Sequence, residues 1–100
     1  MPPEMAPVMY KVIDTISYSN SWIDRYPELA ERGEGVLAIL EPSQIKLAPD
    51  IRGLAVMIHK PNGETSRVVA TDSSSHHSVV GIFFKGVSAE EIPRGSELEW

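Results

Sequence analysis

The sequence contains no cysteine, which excludes a disulfide framework, a thiolate metal site and a cysteine nucleophile. It also lacks any apolar run that approaches the roughly 18 residues of a membrane span. Its first residues, Met1-Pro2-Pro3-Glu4, have neither the basic region nor the apolar core of a signal peptide. From these absences we expect a soluble, cytoplasmic protein that does not bind membranes.

Positive charge is also scarce. Nine Lys and Arg residues stand against fourteen Asp and Glu residues, and the formal net charge is −5. Without a global basic field, direct DNA binding is not expected. The Gly-x-x-x-x-Gly-Lys-Ser/Thr phosphate loop is missing. The spacing Gly33-x-Gly35-x-x-Ala38 matches a dinucleotide fingerprint only formally, because a strand-like run and Pro42 follow it instead of a helix. We therefore expect no cofactor.

One hundred residues are enough for one compact domain. Residues 1–7 contain three prolines, which cannot all join a ladder of hydrogen bonds, so we predict a flexible Pro-rich arm there. Residues 8–100 are predicted to form a single β-barrel domain. Its first strand is predicted at Val8–Ser17, where apolar side chains alternate along the chain.

Residues 18–33 are predicted to form a helical or loop insertion, with Pro27 at the first helical position and Gly33 beyond the helix end. Trp22, Tyr26 and Leu29 carry much of its apolar content. Two interpretations remain open. The aromatic side chains either plug one mouth of the barrel as part of its core or stay partly exposed as a patch that anchors a partner.

The middle of the chain reads as short strands separated by turns. Alternation of apolar side chains predicts strands at Gly35–Leu40, Gly53–Lys60 and Thr65–Thr71. Asn62-Gly63 predicts a two-residue hairpin turn with positive φ at both positions. A turn at Pro42 and a short extended piece at Gln44–Leu47 are expected before the third strand.

The stretch Asp72-Ser73-Ser74-Ser75-His76-His77-Ser78 contains the three residue types of a serine hydrolase triad. A triad requires a spatial arrangement that neighbours in one loop rarely achieve, so a small hydrolase is only a remote alternative. His76 and His77 are adjacent, and His59 is isolated, which does not suit a metal site with several ordered ligands. We predict a solvated loop and assign no catalytic or metal-binding residue.

The last quarter of the chain carries the clearest pattern. Val79–Gly86 is an apolar run of strand length, in which Val80, Ile82, Phe83 and Phe84 are expected in the core. Ser88 and Glu91 have the spacing of a capping box, and Pro93 limits the helix to one turn. Arg94-Gly95 predicts a reversal, and Ser96–Trp100 alternates as a closing strand.

This quarter resembles the end of the second domain of translational GTPases such as elongation factor Tu. The resemblance rests on the following motifs: Val80-Gly81-Ile82, Lys85-Gly86-Val87, Glu90-Glu91-Ile92, Arg94-Gly95 and Leu98. It implies an all-β fold, namely a small closed six-stranded Greek-key barrel, here with a short helical insertion after the first strand and without the GTPase domain.

The resemblance implies a non-catalytic binding module that docks a protein or ribonucleoprotein partner. Candidate partner-binding residues are Trp22, Tyr26, Leu29, Lys85 and Arg94. The alternative is a structural protein that shares only the fold and forms a homo-oligomer through its Trp22–Tyr26 patch.

Overall fold

The computed structural model describes residues 9–18 and 34–100. The predicted arm of residues 1–7 lies outside this range. So does the predicted insertion of residues 18–33, apart from Tyr18, which ends the first strand.

The described chain is all-β. Its strands are β1 (Met9–Tyr18), β2 (Gly35–Leu40), β3 (Ala55–His59), β4 (Thr65–Val69), β5 (Asp72–His76), β6 (Val79–Lys85) and β7 (Glu97–Glu99), and a single 3₁₀ turn spans Ala89–Glu91. The structure thus confirms, to within a few residues, the strands predicted at Val8–Ser17, Gly35–Leu40, Gly53–Lys60, Val79–Gly86 and Ser96–Trp100. Gln44–Leu47, in contrast, follows a turn and does not join the sheet.

The strands form one antiparallel sheet in the order β4-β3-β7-β1-β2-β6-β5. β1 lies in the middle and changes its partner along its length. Residues Met9–Lys11 pair with β7. Residues Val12–Tyr18 pair with β2, and the register of this pairing shifts between Val12 and Asp14. Such a bulge bends the strand and increases its twist, which lets the two halves of the sheet curl toward each other.

The two edge strands, β4 and β5, are consecutive along the chain. At their junction the Ala70 N–H donates to the Leu54 carbonyl of the β3 side at 2.9 Å, and the Thr71 N–H donates to the Phe83 carbonyl of β6 at 2.8 Å. The chain therefore crosses from one end of the sheet to the other within two residues. No ladder joins β4 to β5 in the described residues. The sheet has seven strands and is not closed by hydrogen bonds, so the predicted closed six-stranded barrel is not what the described chain shows.

The core lies between the two halves of the curled sheet. The largest fully buried residues of its apolar cluster are Phe84, Leu40, Ile58, Ile82, Ile92 and Leu98. Val80, Ile82, Phe83 and Phe84 are all fully buried, which confirms the prediction for this run. Phe83 lies on the opposite face of β6 from Phe84, where its ring lies 5.6 Å from the ring of Tyr18. β6 is therefore covered on both faces.

The two hairpin turns differ from expectation. In the β3–β4 turn the Gly63 N–H donates to the Lys60 carbonyl at 3.0 Å, and of the two predicted positions only Gly63 has a positive φ, of 90°. The loop has three residues instead of two, because Pro61 fixes a negative φ at the first corner. The stretch from Asp72 is not a solvated loop. It forms β5, followed by a tight turn at His77 and Ser78, which have φ values of 52° and 63°.

The last quarter forms the predicted succession of strand, helical turn, reversal and strand. The Ser96 N–H donates to the Pro93 carbonyl at 3.0 Å, and Gly95 has a φ of 92°. The predicted capping box is not formed. Ser88 occupies the cap position, but its hydroxyl makes no capping hydrogen bond, because the turn is only three residues long and its Glu91 N–H is already bonded to the Ser88 carbonyl.

Candidate partner-binding surfaces

Lys85 stands at the end of β6, directly opposite Gly35 of β2. Its backbone N–H donates to the Thr71 hydroxyl at 3.0 Å, which fixes the last residue of the strand. Its side chain is exposed and forms no ion pair with the described residues. Its ammonium group is therefore unpaired within the described residues, and its role in binding a partner stays a prediction.

Arg94 is engaged within the protein. Its Nη2 donates to Asp14 Oδ1 at 3.2 Å, and both side chains are largely exposed. The pKa of the Asp14 carboxyl is lowered, first because this carboxylate accepts a hydrogen bond from the Thr15 backbone N–H, and second because of Arg94. Arg94 thus ties the last turn to β1.

Lys85 and Arg94 do not converge on one site. Gly35 of β2 is the direct cross-strand neighbour of both Lys85 and Tyr18, so Lys85 lies level with Tyr18 across the sheet. Arg94, in contrast, contacts Asp14. Tyr18 and Asp14 are four residues apart along β1, about 13 Å. The other three candidates, Trp22, Tyr26 and Leu29, lie outside the described residues, so their role stays a prediction.

An open depression of about 300 Å³ lies beside Lys85, lined by Ser17, Tyr18, Glu34, Gly35 and residues 86–89. The ends of β1 and β2 therefore face the loop that follows β6. Gly35 is necessary at this place, because a Cβ there would lie 2.4 Å from the Phe84 carbonyl oxygen and 2.9 Å from the Phe83 ring. This close approach of β2 to β6 shapes the floor of the depression.

A second depression, of about 400 Å³, is lined by residues 43–47 in the loop between β2 and β3. Leu47 is 79% exposed, but Ile45 packs against the core. The loop therefore presents one isolated apolar side chain, which is common on protein surfaces.

The Asp, Ser and His residues that suggested a hydrolase as a remote alternative are distributed over both faces of β5. Asp72, Ser74 and His76 share one face, and Ser73 and Ser75 share the other. The Ser73 hydroxyl donates to the Pro49 carbonyl at 2.5 Å, so it is directed to the neighbouring loop. The ring of His76 contacts the ring of His77 edge-on, with centroids 4.2 Å apart. These contacts do not pair a base with a nucleophile as a triad requires.

His59, which the sequence left isolated, contacts Glu99 of β7, with 2.7 Å between Nε2 and Oε1. The next residue, Lys60, reaches Glu91 of the 3₁₀ turn at 3.5 Å. Among residues 9–18 and 34–100, no group of three or more His, Asp or Glu side chains is placed to hold a metal ion. The same residues contain no helix that is long and apolar enough to cross a membrane.

The edge of β4 is a surface that the sequence did not predict. Among the described strands, β4 pairs with β3 alone, from Ala55↔Val69 to His59↔Thr65, and the side chains of Thr65, Arg67 and Val69 are exposed. Alternation along the sequence indicates which side chains share a face, but it does not indicate which strand has a free side.

Searches against protein-family models, curated proteins and solved structures found no match to this chain.

Proposed function

We propose that the chain is a non-catalytic binding module that docks a protein or ribonucleoprotein partner at the end of the sheet beside Lys85. The observation that carries the proposal is the open depression at this end, which adjoins an exposed cation that has no ion pair within the described residues.

The resemblance to the second domain of translational GTPases supports the same proposal. It covers the stretch from Val79 to Leu98, and Gly86–Ala89 of that stretch line the depression. We propose accordingly that the fold is a variant of that Greek-key barrel, in which the short junction of β4 and β5 replaces one ladder. The proposed partner belongs to the translation apparatus of the cytoplasm.

Affinity capture with the purified chain as bait, at low and high salt, tests the proposal. We expect specific recovery of ribosomal proteins or a translation factor, with a loss at high salt because exposed charges are screened. Lys85→Glu should reduce this recovery. Lys46→Glu is the matched control, since it makes the same charge change at an exposed lysine in the β2–β3 loop.

Two results would contradict the proposal. Equal recovery with the two variants would exclude Lys85 as part of the docking surface. Recovery of the bait alone, together with a mass that rises with concentration, would favour the self-associating structural protein instead.

A further inference from the structure

The free edge of β4 offers a row of unpaired backbone groups. The Lys60 N–H donates to the Glu64 carbonyl at 2.8 Å, and the Ala70 N–H donates to the Leu54 carbonyl at 2.9 Å. Because residues of an antiparallel strand alternate in the direction of their backbone groups, the even-numbered residues face β3. Thr65, Arg67 and Val69 therefore direct their N–H and C=O groups outward, and no described residue bonds to them.

This edge lacks two of the devices that often protect an edge strand, namely a β-bulge and a proline. The register with β3 runs without a bulge, and β4 contains no proline. Val69 is 55% exposed. The outward groups repeat at about 7 Å, which is the two-residue spacing of an incoming strand. The edge is therefore ready to accept one more strand.

The other edge, β5, is different. The loop before β3 lies beside it, where the Ser73 hydroxyl bonds to the Pro49 carbonyl and Arg52 contacts Asp72 at 3.4 Å. Of the two edges of the described sheet, β4 is thus the open one.

The side chains of β4 define what fits beside it. Arg67 stands at the centre of the strand, opposite Met57 of β3, and forms no ion pair with the described residues. Val69 lies two residues away on the same face, opposite Ala55. An added strand places one side chain across from Arg67 and one across from Val69, and opposite charges at such cross-strand positions attract each other. A carboxylate and an apolar side chain, two residues apart, match this face.

A second copy of the chain fits poorly. In a two-fold antiparallel pairing of two β4 edges centred on Arg67, the two guanidinium groups lie directly opposite each other. If the register shifts by two residues, they lie diagonally across the pair. Like charges at these positions are destabilising, so Arg67 acts against self-pairing and favours an acidic partner.

We propose that the β4 edge binds an extended acidic segment of another protein by strand addition, with a carboxylate across from Arg67. This mode gives affinity through main-chain hydrogen bonds and specificity through alternate side chains. The proposal is independent of the Lys85 surface.

The test uses the full chain, labelled with ¹⁵N, and the peptide acetyl-Thr-Val-Thr-Glu-Thr-Val-Thr-amide, which reads the same in both directions. Titration followed by amide NMR shifts should perturb Thr65, Arg67 and Val69. Replacing the central Glu by Lys should weaken binding about two- to fivefold, as expected for a cross-strand charge pair. Arg67→Glu should reverse this preference, and Lys46→Glu, at an exposed lysine in the β2–β3 loop, should leave it unchanged.

Several outcomes would overturn the proposal. One is the absence of shifts at β4 at millimolar peptide, and another is equal affinity for the two peptides. A third is protection of the Thr65, Arg67 and Val69 amides from hydrogen exchange in the free monomer, which would mean that the chain itself covers the edge. A mass that rises with concentration, together with amide shifts at Thr65, Arg67 and Val69 over the same concentration range, would identify a second copy as the occupant. Melting of each variant confirms that it is folded.

Discussion

The imidazole of His59 and the carboxylate of Glu99 meet across the ladder between β3 and β7, with 2.7 Å between Nε2 and Oε1. The two residues are not direct partners in the register, since His59 is opposite Glu97 and Glu99 is opposite Met57. The contact is therefore diagonal. It connects β7, which is only three residues long, to the end of β3. The neighbouring Lys60 forms an ion pair with Glu91 of the 3₁₀ turn.

Removal of this contact should loosen the closing strand. We expect Glu99→Ala to lower the free energy of unfolding by about 0.5–1 kcal/mol, the range for a partly exposed charged contact. Urea denaturation measures this change. Glu97→Ala is the matched control, because it removes a carboxylate of the same strand that is exposed, and it should change stability less. Equal effects of the two variants would mean that the His59 contact adds nothing to stability.

Asp14 predicts a dependence of stability on pH. Its pKa is lowered in the folded chain, first by the Thr15 N–H and then by Arg94. A depressed folded pKa contributes stability above the unfolded value, and this contribution is lost as the pH falls through the folded pKa. Asp14→Asn should therefore reduce the melting temperature at neutral pH. The difference from the wild type should shrink as the pH falls from 3.8, the ordinary pKa of this carboxyl, toward the lowered folded pKa.

Two variants separate the causes at Asp14. Arg94→Ala should give a smaller effect than Asp14→Asn, because the Thr15 hydrogen bond is the larger cause. Asp50→Asn removes an exposed carboxylate that makes no hydrogen bond or ion pair with the described residues and serves as the control. Melting curves for Asp14→Asn that stay equally far below the wild type at neutral and acidic pH would contradict the prediction.

Strong local patterns account for the part of the fold that the sequence predicts. β2 and β6 were predicted almost to the residue, because an apolar run bounded by glycine leaves little choice. β5 was missed, since Ser and His do not mark a strand. Its place depends on pairing with β6, which is a tertiary effect. Asn62-Gly63 predicts a two-residue turn, but the loop has three residues, because Pro61 occupies its first position with a fixed negative φ.

The candidate surfaces also differ in how far local sequence patterns indicate them. The exposure of Lys85 follows from its place at a strand end, where charged residues are usually exposed, whereas its role in binding a partner stays a prediction. The open edge beside Arg67 was missed, because strand neighbours follow from the order of all seven strands and not from the residues of β4. The ion pair between Arg94 and Asp14 joins two segments 80 residues apart, and no local pattern shows it.

Two glycines on the outer face of β2 and β6 should respond differently to alanine. At Gly35 the new Cβ would meet the Phe84 carbonyl oxygen at 2.4 Å, and backbone must move. At Gly81 it would meet a Leu37 methyl at 2.9 Å, and a side chain can rotate away. We expect Gly35→Ala to cost about 2–3 kcal/mol and Gly81→Ala about 1 kcal/mol, within the range for overpacking. Denaturant midpoints measure both, and the reverse order would contradict the packing at Gly35.

The turn between β5 and β6 stores strain that a single substitution should release. His77 and Ser78 both have positive φ, of 52° and 63°, as a type I′ hairpin turn requires, although glycine and asparagine suit these positions better. Ser78→Gly should raise the free energy of unfolding by about 0.5–1 kcal/mol, because the left-handed conformation is costly for a residue with a Cβ. Ser75→Gly, in the adjacent extended strand, is the control and should lower stability by about the same amount, since glycine weakens a strand interior. Urea denaturation of the two variants compares them directly. If Ser78→Gly destabilises the chain as Ser75→Gly does, the turn does not adopt the left-handed conformation in solution.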